Sequence, residues 1–483
     1  MTAAACGRGK GGPDASGSGG LSGTGGSGNR FGRTYQQNLN RNVDILFLID
    51  DSSSMGLVQN KLLQDFATFA NTLQTLEGGM PDVHIGVISS DMGAGDGTVA
   101  GCDSTGGKKG ILQYTARGAC TATKLNAGAK YTSNIGGTAN YTGALADVFR
   151  CIGALGEAGC GFEHQFAAIL RALGADDQPA PAENQGFLRA DANLAIVMLT
   201  NEDDCSVTPN VPIFDTLSNA NIASQLGPPI NFRCNEFGHI CDGAHPLRLA
   251  PNNDVAAMVT YNSCEANDTE GYLLSALDTA NRLKALKADP SQLLVASIQG
   301  PESPYVVHWK GPGTTDTSCG AASCPWPEIT HSCTAGDTSF ADPGVRTAKF
   351  AAEFGNNGLV LPICGDGFAP SLERIGQAIG KLFTPACISG KIQDDPTKPG
   401  LQPDCTVTAH VQQASGSAMD TALPSCAANG GVGPCWTVTR DLARCSGDAA
   451  VVVTPGPAGA PTQSATIQCT LCDPNVSDPS TCL

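Results

Sequence analysis

Val43-Asp44-Ile45-Leu46-Phe47-Leu48-Ile49-Asp50-Asp51-Ser52-Ser53-Ser54-Met55 is the stretch that decides the fold. Apart from Asp44 the run up to Ile49 is unbroken apolar. A strand with one wet face would alternate, so this one reads as buried on both faces, the habit of a parallel sheet. It ends in a carboxylate, Asp50. Downstream, Leu62, Phe66, Phe69, Leu73 and Leu76 recur at steps of four and three, which marks one face of an amphipathic helix. A buried strand therefore hands an acidic group to a tight, hydroxyl-rich turn at the start of a helix.

The same alternation continues outward. Val83–Ile88 reads as a second strand, and Phe162, Phe166, Ile169, Leu170 and Leu173 mark a helix. Leu194–Leu199 is a central strand by its apolar run. A helix near 270–287 precedes the strand Leu293–Ile298, a short helix over 345–355 precedes Leu359–Ile363, and Phe368, Leu372, Ile375, Ile379 and Leu382 mark a last helix. Strands alternating with helices predict right-handed crossovers and an α/β fold: a doubly wound, mainly parallel sheet covered on both faces. That domain is expected over 41–388, with disulfide-rich insertions near 92–160, 201–268 and 300–343, the first with little regular structure. Residues 1–40 are Gly/Ser-rich and expected to be a disordered tail. Residues 389–483, rich in Cys, Pro and Thr, read as a small C-terminal β module too poor in apolar residues to fold without bridges.

Charge and cysteine use bound the function. A net charge of −17 over 483 residues repels phosphate backbones and anionic lipid, so no nucleic-acid partner is expected. The 21 cysteines follow no zinc-ribbon spacing and read as a disulfide framework made in an oxidising compartment. The count is odd, and Cys6 stands apart. Its setting, Ala3-Ala4-Ala5-Cys6-Gly7 before a Gly/Ser-rich run, resembles the processing site of a bacterial lipoprotein, although no basic and apolar leader precedes it. A lipid anchor at Cys6 is the expectation. No run of 18 apolar residues exists, so no transmembrane span is expected. The localisation read from these features is exported: cell surface, as an outer-membrane lipoprotein, or extracellular.

The chemistry concentrates at Asp50, Ser52 and Ser54. A hard cation such as Mg²⁺ takes about six oxygen ligands at about 2.1 Å, and one carboxylate with two hydroxyls on a turn supplies part of that shell. In an open α/β sheet such a turn sits where ligands bind, beyond the carboxyl ends of the strands. Asp50-x-Ser52-x-Ser54 after Ile45-Leu46-Phe47-Leu48-Ile49 resembles the metal-ion-dependent adhesion site of von Willebrand factor A (VWA) domains, and the resemblance spans roughly 41–388. Thr200–Ser206 and Ser90–Gly95 further resemble exported, myxobacterial-type bacterial VWA proteins. The resemblance implies a protein-binding rather than catalytic role: the cation keeps one open position for an acidic side chain of a protein ligand.

The family completes its site with an Asp after the central strand and a Thr from a second loop. Here Asn201 aligns with that Asp, and Gly159–His164 lacks the Thr but carries Glu163. The expected ligands are thus Asp50, Ser52, Ser54, Asn201, Asp203 and Glu163, holding Mg²⁺ or else Mn²⁺ or Ca²⁺, with Glu202 and Asp204 as further sources of charge. Asp91 is expected to form a turn before Gly93. Two other readings stay open: a metal-dependent hydrolase using Asp50, Asp51 and Glu202–Asp204, and a metal-free scaffold. The seven histidines form no His-Glu-x-x-His, and neither a Gly-x-Ser-x-Gly elbow nor a phosphate loop is present. Cys469-Thr470-Leu471-Cys472 lacks a redox setting and reads as structural bridging. Cys234 and Cys241, beside His239 and His245, also read as bridged rather than zinc-binding. Lys108-Lys109 is too small a basic cluster for nucleic acid.

Overall fold

Asn42–Ile49 is hydrogen-bonded on both edges, in parallel, to Asp82–Ser89 and to Asn193–Leu199, which is why its run carries no solvent-facing alternation. The computed structural model describes residues 31–38 and 41–383 apart from 215–224, 311–325 and scattered short loop positions. Beyond these it describes 386–388, 390–395, 402–412, 418–430, 434–440, 449–454, 462–472 and 482. It divides into two compact units, 40–383 and 1–39 with 384–483.

In the larger unit the sheet runs, in spatial order, Gly358–Pro362, Leu293–Gln299, Asn193–Leu199, Asn42–Ile49, Asp82–Ser89, Thr132–Ile135 and Thr138–Ala139. The first five strands are parallel; the last two are antiparallel edge strands. Side chains alternate between two cores. Val43, Ile45, Phe47 and Ile49 face the helices Gly56–Thr75, Leu145–Ile152 and Ala369–Lys381. Leu46 and Leu48 face Gln165–Leu173, Ala276–Lys284 and Val345–Ala352. Asp44, the one charge in the first strand, lies fully buried on this second face and accepts 2.8 Å from Arg189 Nε and 2.6 Å from the Arg189 amide. The doubly wound α/β expectation therefore holds.

Residues 92–160 depart from the expected loose insertion. They supply the two edge strands and the helix Leu145–Ile152, whose Phe149 ring stacks on Phe66 at 3.6 Å between centroids. The glycines hid the edge strands, whose residues Thr132-Ser133-Asn134-Ile135 carry little apolar signal. The helix is two turns long, with Leu145, Val148, Phe149 and Ile152 on one face.

Among the described residues five disulfides staple this unit: Cys102–Cys160, Cys120–Cys151, Cys205–Cys234, Cys241–Cys264 and Cys333–Cys364. Cys234 and Cys241 are bridged, as expected, but to partners outside their local cluster. Cys6, Cys319 and Cys324 lie outside the described residues.

The smaller unit is all β where described. A four-stranded sheet orders Phe31–Asn38, Thr462–Leu471, Cys405–Gln412 and Ala418–Leu423; a three-stranded one orders Ala386–Ile388, Ala449–Thr454 and Cys435–Arg440. Ile388, Val407, Trp436, Val451 and Ile467 form its core. Cys469 bridges Cys405 and Cys472 bridges Cys482, so the Cys-x-x-Cys pair does not close on itself. Phe31–Asn38 corrects the expectation of a tail over 1–40. It pairs antiparallel along its whole length, from Phe31 opposite Leu471 to Asn38 opposite Ser464. Its polar composition carries no burial signal because the ladder hydrogen bonds come from a strand at the far end of the chain. The rest of that expectation, residues 1–30, lies outside the described residues. Among the described residues no helix is long and apolar enough to cross a membrane.

Candidate functional site

Three neighbouring parallel strands end side by side, and their next residues build the site. The Asp50 amide donates to Leu199 O at 3.0 Å, carrying the ladder one residue past the strand. The Met55 amide closes a turn on Ser52 O at 3.1 Å, and Gln59 Nε2 holds Asp50 O at 2.8 Å. The Asp50 carboxylate is fully buried. It accepts from the Ser52 amide (2.9 Å), Thr200 Oγ1 (2.9 Å) and Ser90 Oγ (3.4 Å). Ser52 Oγ lies 3.4 Å from Ser54 Oγ. Ser54 Oγ in turn donates to Asn201 Oδ1 at 3.3 Å and accepts from Asn201 Nδ2 at 3.0 Å. Asp50, Ser52, Ser54 and Asn201, four of the six expected ligands, thus form one contiguous polar set. Ser52 is buried, Ser54 half-buried and Ser53 exposed, so the set opens to solvent on the serine side.

Glu163 closes the other side. Its loop is pinned by the Gly159 amide on Asp51 O (2.8 Å), the His164 amide on Ser90 O (3.0 Å) and the Cys205 amide on Glu163 O (2.7 Å). The Glu163 side chain is buried, and its Oε1 has no hydrogen-bond partner. Burial, and next the facing Glu202 and Asp50 carboxylates, hold the Glu163 carboxyl well above the usual range. Burial, then Asp342 and Asp50, push Glu202 up to about 8, while Asn231 Nδ2 donates to its Oε2 at 3.0 Å. Burial alone raises Asp50, against the hydrogen bonds it accepts. Glu163, Glu202, Asn231, Asn235 and Asp342 line a small cleft whose free space is about one water molecule's worth.

Asp203 corrects the expected ligand set. Its Oδ2 accepts from the Val345 and Arg346 amides, each at 2.8 Å, and meets His239 Nε2 at 2.8 Å. Its Oδ1 accepts from the amide and hydroxyl of Thr347, each at 3.0 Å. The carboxylate caps the N-terminus of the Val345–Ala352 helix, where the backbone presents unpaired donors and a favourable dipole; these bonds and the neighbouring His239 and Arg346 charges hold its pKa low despite burial. Asp204 pairs instead with Arg346 Nη2 at 3.1 Å in a fully buried contact. Of the acidic run, only Glu202 faces the Asp50 side. Asp91 forms the expected turn, its Oδ1 accepting from the Gly93 amide at 2.8 Å.

Sequence reasoning missed Thr200 and Ser90 on the Asp50 carboxylate. Each directly follows a strand neighbouring the first, and that placement was the available signal. It also missed Lys108, whose ammonium contacts the fully buried Asp51 carboxylate.

The donor set fits a hard divalent cation. Neighbouring oxygens of an octahedral shell at about 2.1 Å lie about 3.0 Å apart, close to the observed Ser52–Ser54–Asn201 spacings. The buried Glu163 carboxyl shares a side-chain hydrogen bond with Glu202, and both are held high, so a proton between them fills the role that a cation would otherwise fill. Among the described residues no group of three or more His, Cys, Asp or Glu side chains is placed to hold a metal, so any ion here would rest on the mixed hydroxyl, amide and carboxylate set.

No family profile matches the sequence, and no curated protein does. Among solved structures the chain is similar to a von Willebrand factor type A protein from Catenulispora acidiphila. Identity is 9%, with 93% of this chain and 69% of that one covered and a TM-score of 0.27. It is also similar to three N-terminal domains of the type V pili tip protein Mfa5 from Porphyromonas gingivalis, at 12% identity, 92% and 64% coverage and a TM-score of 0.28. Proximal thread matrix protein 1 from the mussel byssus follows, at 9% identity, 74% and 51% coverage and a TM-score of 0.25.

Proposed function

We propose that the chain is a metal-ion-dependent protein-binding module of the von Willebrand factor A type, exported and displayed at the cell surface. Asp50, Ser52, Ser54 and Asn201 would hold Mg²⁺, or Mn²⁺ or Ca²⁺, with Glu163 on the buried side. The ion supplies a Lewis-acidic position for an acidic side chain of a protein ligand. The contiguous Asp50–Ser52–Ser54–Asn201 contacts at the solvent-facing end of the sheet carry this reading. The disulfides fit an oxidising, extracytoplasmic setting, and lipidation at Cys6 would supply an anchor. Calorimetric titration of Mg²⁺, Mn²⁺ and Ca²⁺ tests it: uptake by the wild type and none by Asp50→Ala is expected, and a wild type that takes up no ion refutes it.

A metal-free scaffold is the second reading, favoured by the reciprocal Ser54–Asn201 hydrogen bonds, which satisfy both groups without an ion. It requires that chelator leave both thermal stability and partner binding unchanged.

A further inference from the structure

Lys108 stands on a short finger between Gly107 and Lys109. Its amide donates to Asp91 O at 2.8 Å. Gly107 has φ +48°, and a Cβ there would lie 2.2 Å from Asp91 Oδ1, so only glycine lets the finger sit this close. The finger directs the Lys108 ammonium onto Asp51 Oδ2, with Asp91 Oδ2 at 4.0 Å. Asp51 is fully buried and its other oxygen accepts 2.6 Å from Ser89 Oγ. Asp51 directly follows the proposed ligand Asp50, and its carbonyl receives the Gly159 amide of the Glu163 loop. Cys102, upstream of the finger, is bridged to Cys160 in that same loop. The finger and the Glu163 loop are therefore one stapled assembly resting on Asp51. Lys109, next in the chain, is exposed.

We propose that Lys108 is a built-in counter-ion that sets the cation affinity of the Asp50 turn: its ammonium neutralises Asp51 and opposes a divalent ion at the adjacent ligands. The inference rests on the metal reading above. A single charge facing a divalent ion across about 8 Å at an effective dielectric of about 40–80 alters affinity by about 6- to 30-fold.

The test is calorimetric titration of Mg²⁺ and Mn²⁺ into the whole chain at low ionic strength. Lys108→Met keeps the aliphatic stem and should bind about tenfold tighter than wild type. Lys109→Asn removes the same formal charge at an exposed site that tolerates positive φ, and should bind as wild type does. Lys108→Met leaves the buried Asp51 carboxylate unpaired and could fail to fold. A second pair avoids this: Asp51→Asn/Lys108→Met should bind about tenfold tighter than Asp51→Asn alone. Equal affinities within both pairs, with wild type binding the ion, overturn the counter-ion role and leave the metal site standing. Equal tightening by Lys109→Asn reduces the effect to net charge and also overturns it. No uptake by wild type or any variant overturns both readings.

Discussion

Asp203→Ala separates the ligand expected from sequence from the cap seen in the fold. The wild-type carboxylate receives the Val345, Arg346 and Thr347 amides, the Thr347 hydroxyl and His239 Nε2, all within 2.8–3.0 Å. Alanine leaves several buried donors without an acceptor, at about 1–3 kcal/mol each before relaxation, and water entering the site recovers part of that. A net loss of about 3–5 kcal/mol follows, within the range for breaking a buried polar network. At about 2 °C per kcal/mol for a domain of this size, Tm falls by about 6–10 °C. The assay is thermal unfolding in chelator and in saturating Mg²⁺, paired with titration of the folded variant. The same drop is expected in both media, with ion affinity within about threefold of wild type. A variant as stable as wild type in chelator that no longer takes up Mg²⁺ would refute the capping argument and restore Asp203 as a ligand. Asp203→Asn keeps the shape and should lose less.

Asn201→Asp supplies a charged oxygen at the Ser54 contact and should tighten divalent uptake by about tenfold, read by calorimetry; unchanged affinity would place Asn201 outside the shell. Phe149→Ala opens a hole against Phe66, Phe47 and the first helix, and should cost about 3–5 kcal/mol in denaturant unfolding; a loss below about 1 kcal/mol would mean this helix is peripheral. His84, whose Nδ1 meets Phe187 O at 2.8 Å, has its pKa lowered to about 4, chiefly by burial. The unfolded chain thus takes up a proton near pH 6.5 that the folded one refuses, and stability is lost as pH falls from 6.5 towards 4. Burial raises Asp44 to about 6, so that group adds stability as pH falls through 6 and offsets part of the loss. His84→Gln isolates the histidine: the stability of wild type relative to this variant should fall by about 1–2 kcal/mol between pH 7 and pH 4.5, with allowance for partial solvent access. No change in that difference would place the histidine in a solvated setting.

The strands and helices around the first strand were legible because each carries its own periodicity. Val43–Ile49 and Leu194–Leu199 are buried on both faces, and the helix after Ser54 shows an apolar stripe. The Asp50 turn was legible as well, since its three proposed ligand residues, Asp50, Ser52 and Ser54, lie within five consecutive positions. Thr200, Ser90 and Asn201 reach it only because parallel pairing brings three strand ends into register, an adjacency that local spacing does not encode.

Sequence alone thus determined the α/β class, the disulfide-rich composition and the oxygen-bearing turn, because burial period and residue chemistry are local properties. Tertiary structure decided which acidic groups face that turn. Asp203 looks equivalent to Glu202 along the chain, yet helix amides capture its carboxylate, while Glu202 faces Glu163. It also decided that a lysine from a glycine-rich loop lies on Asp51 and that residues 31–38 form a strand. Their partners are remote in the chain, and only folding brings those charges and hydrogen bonds within range.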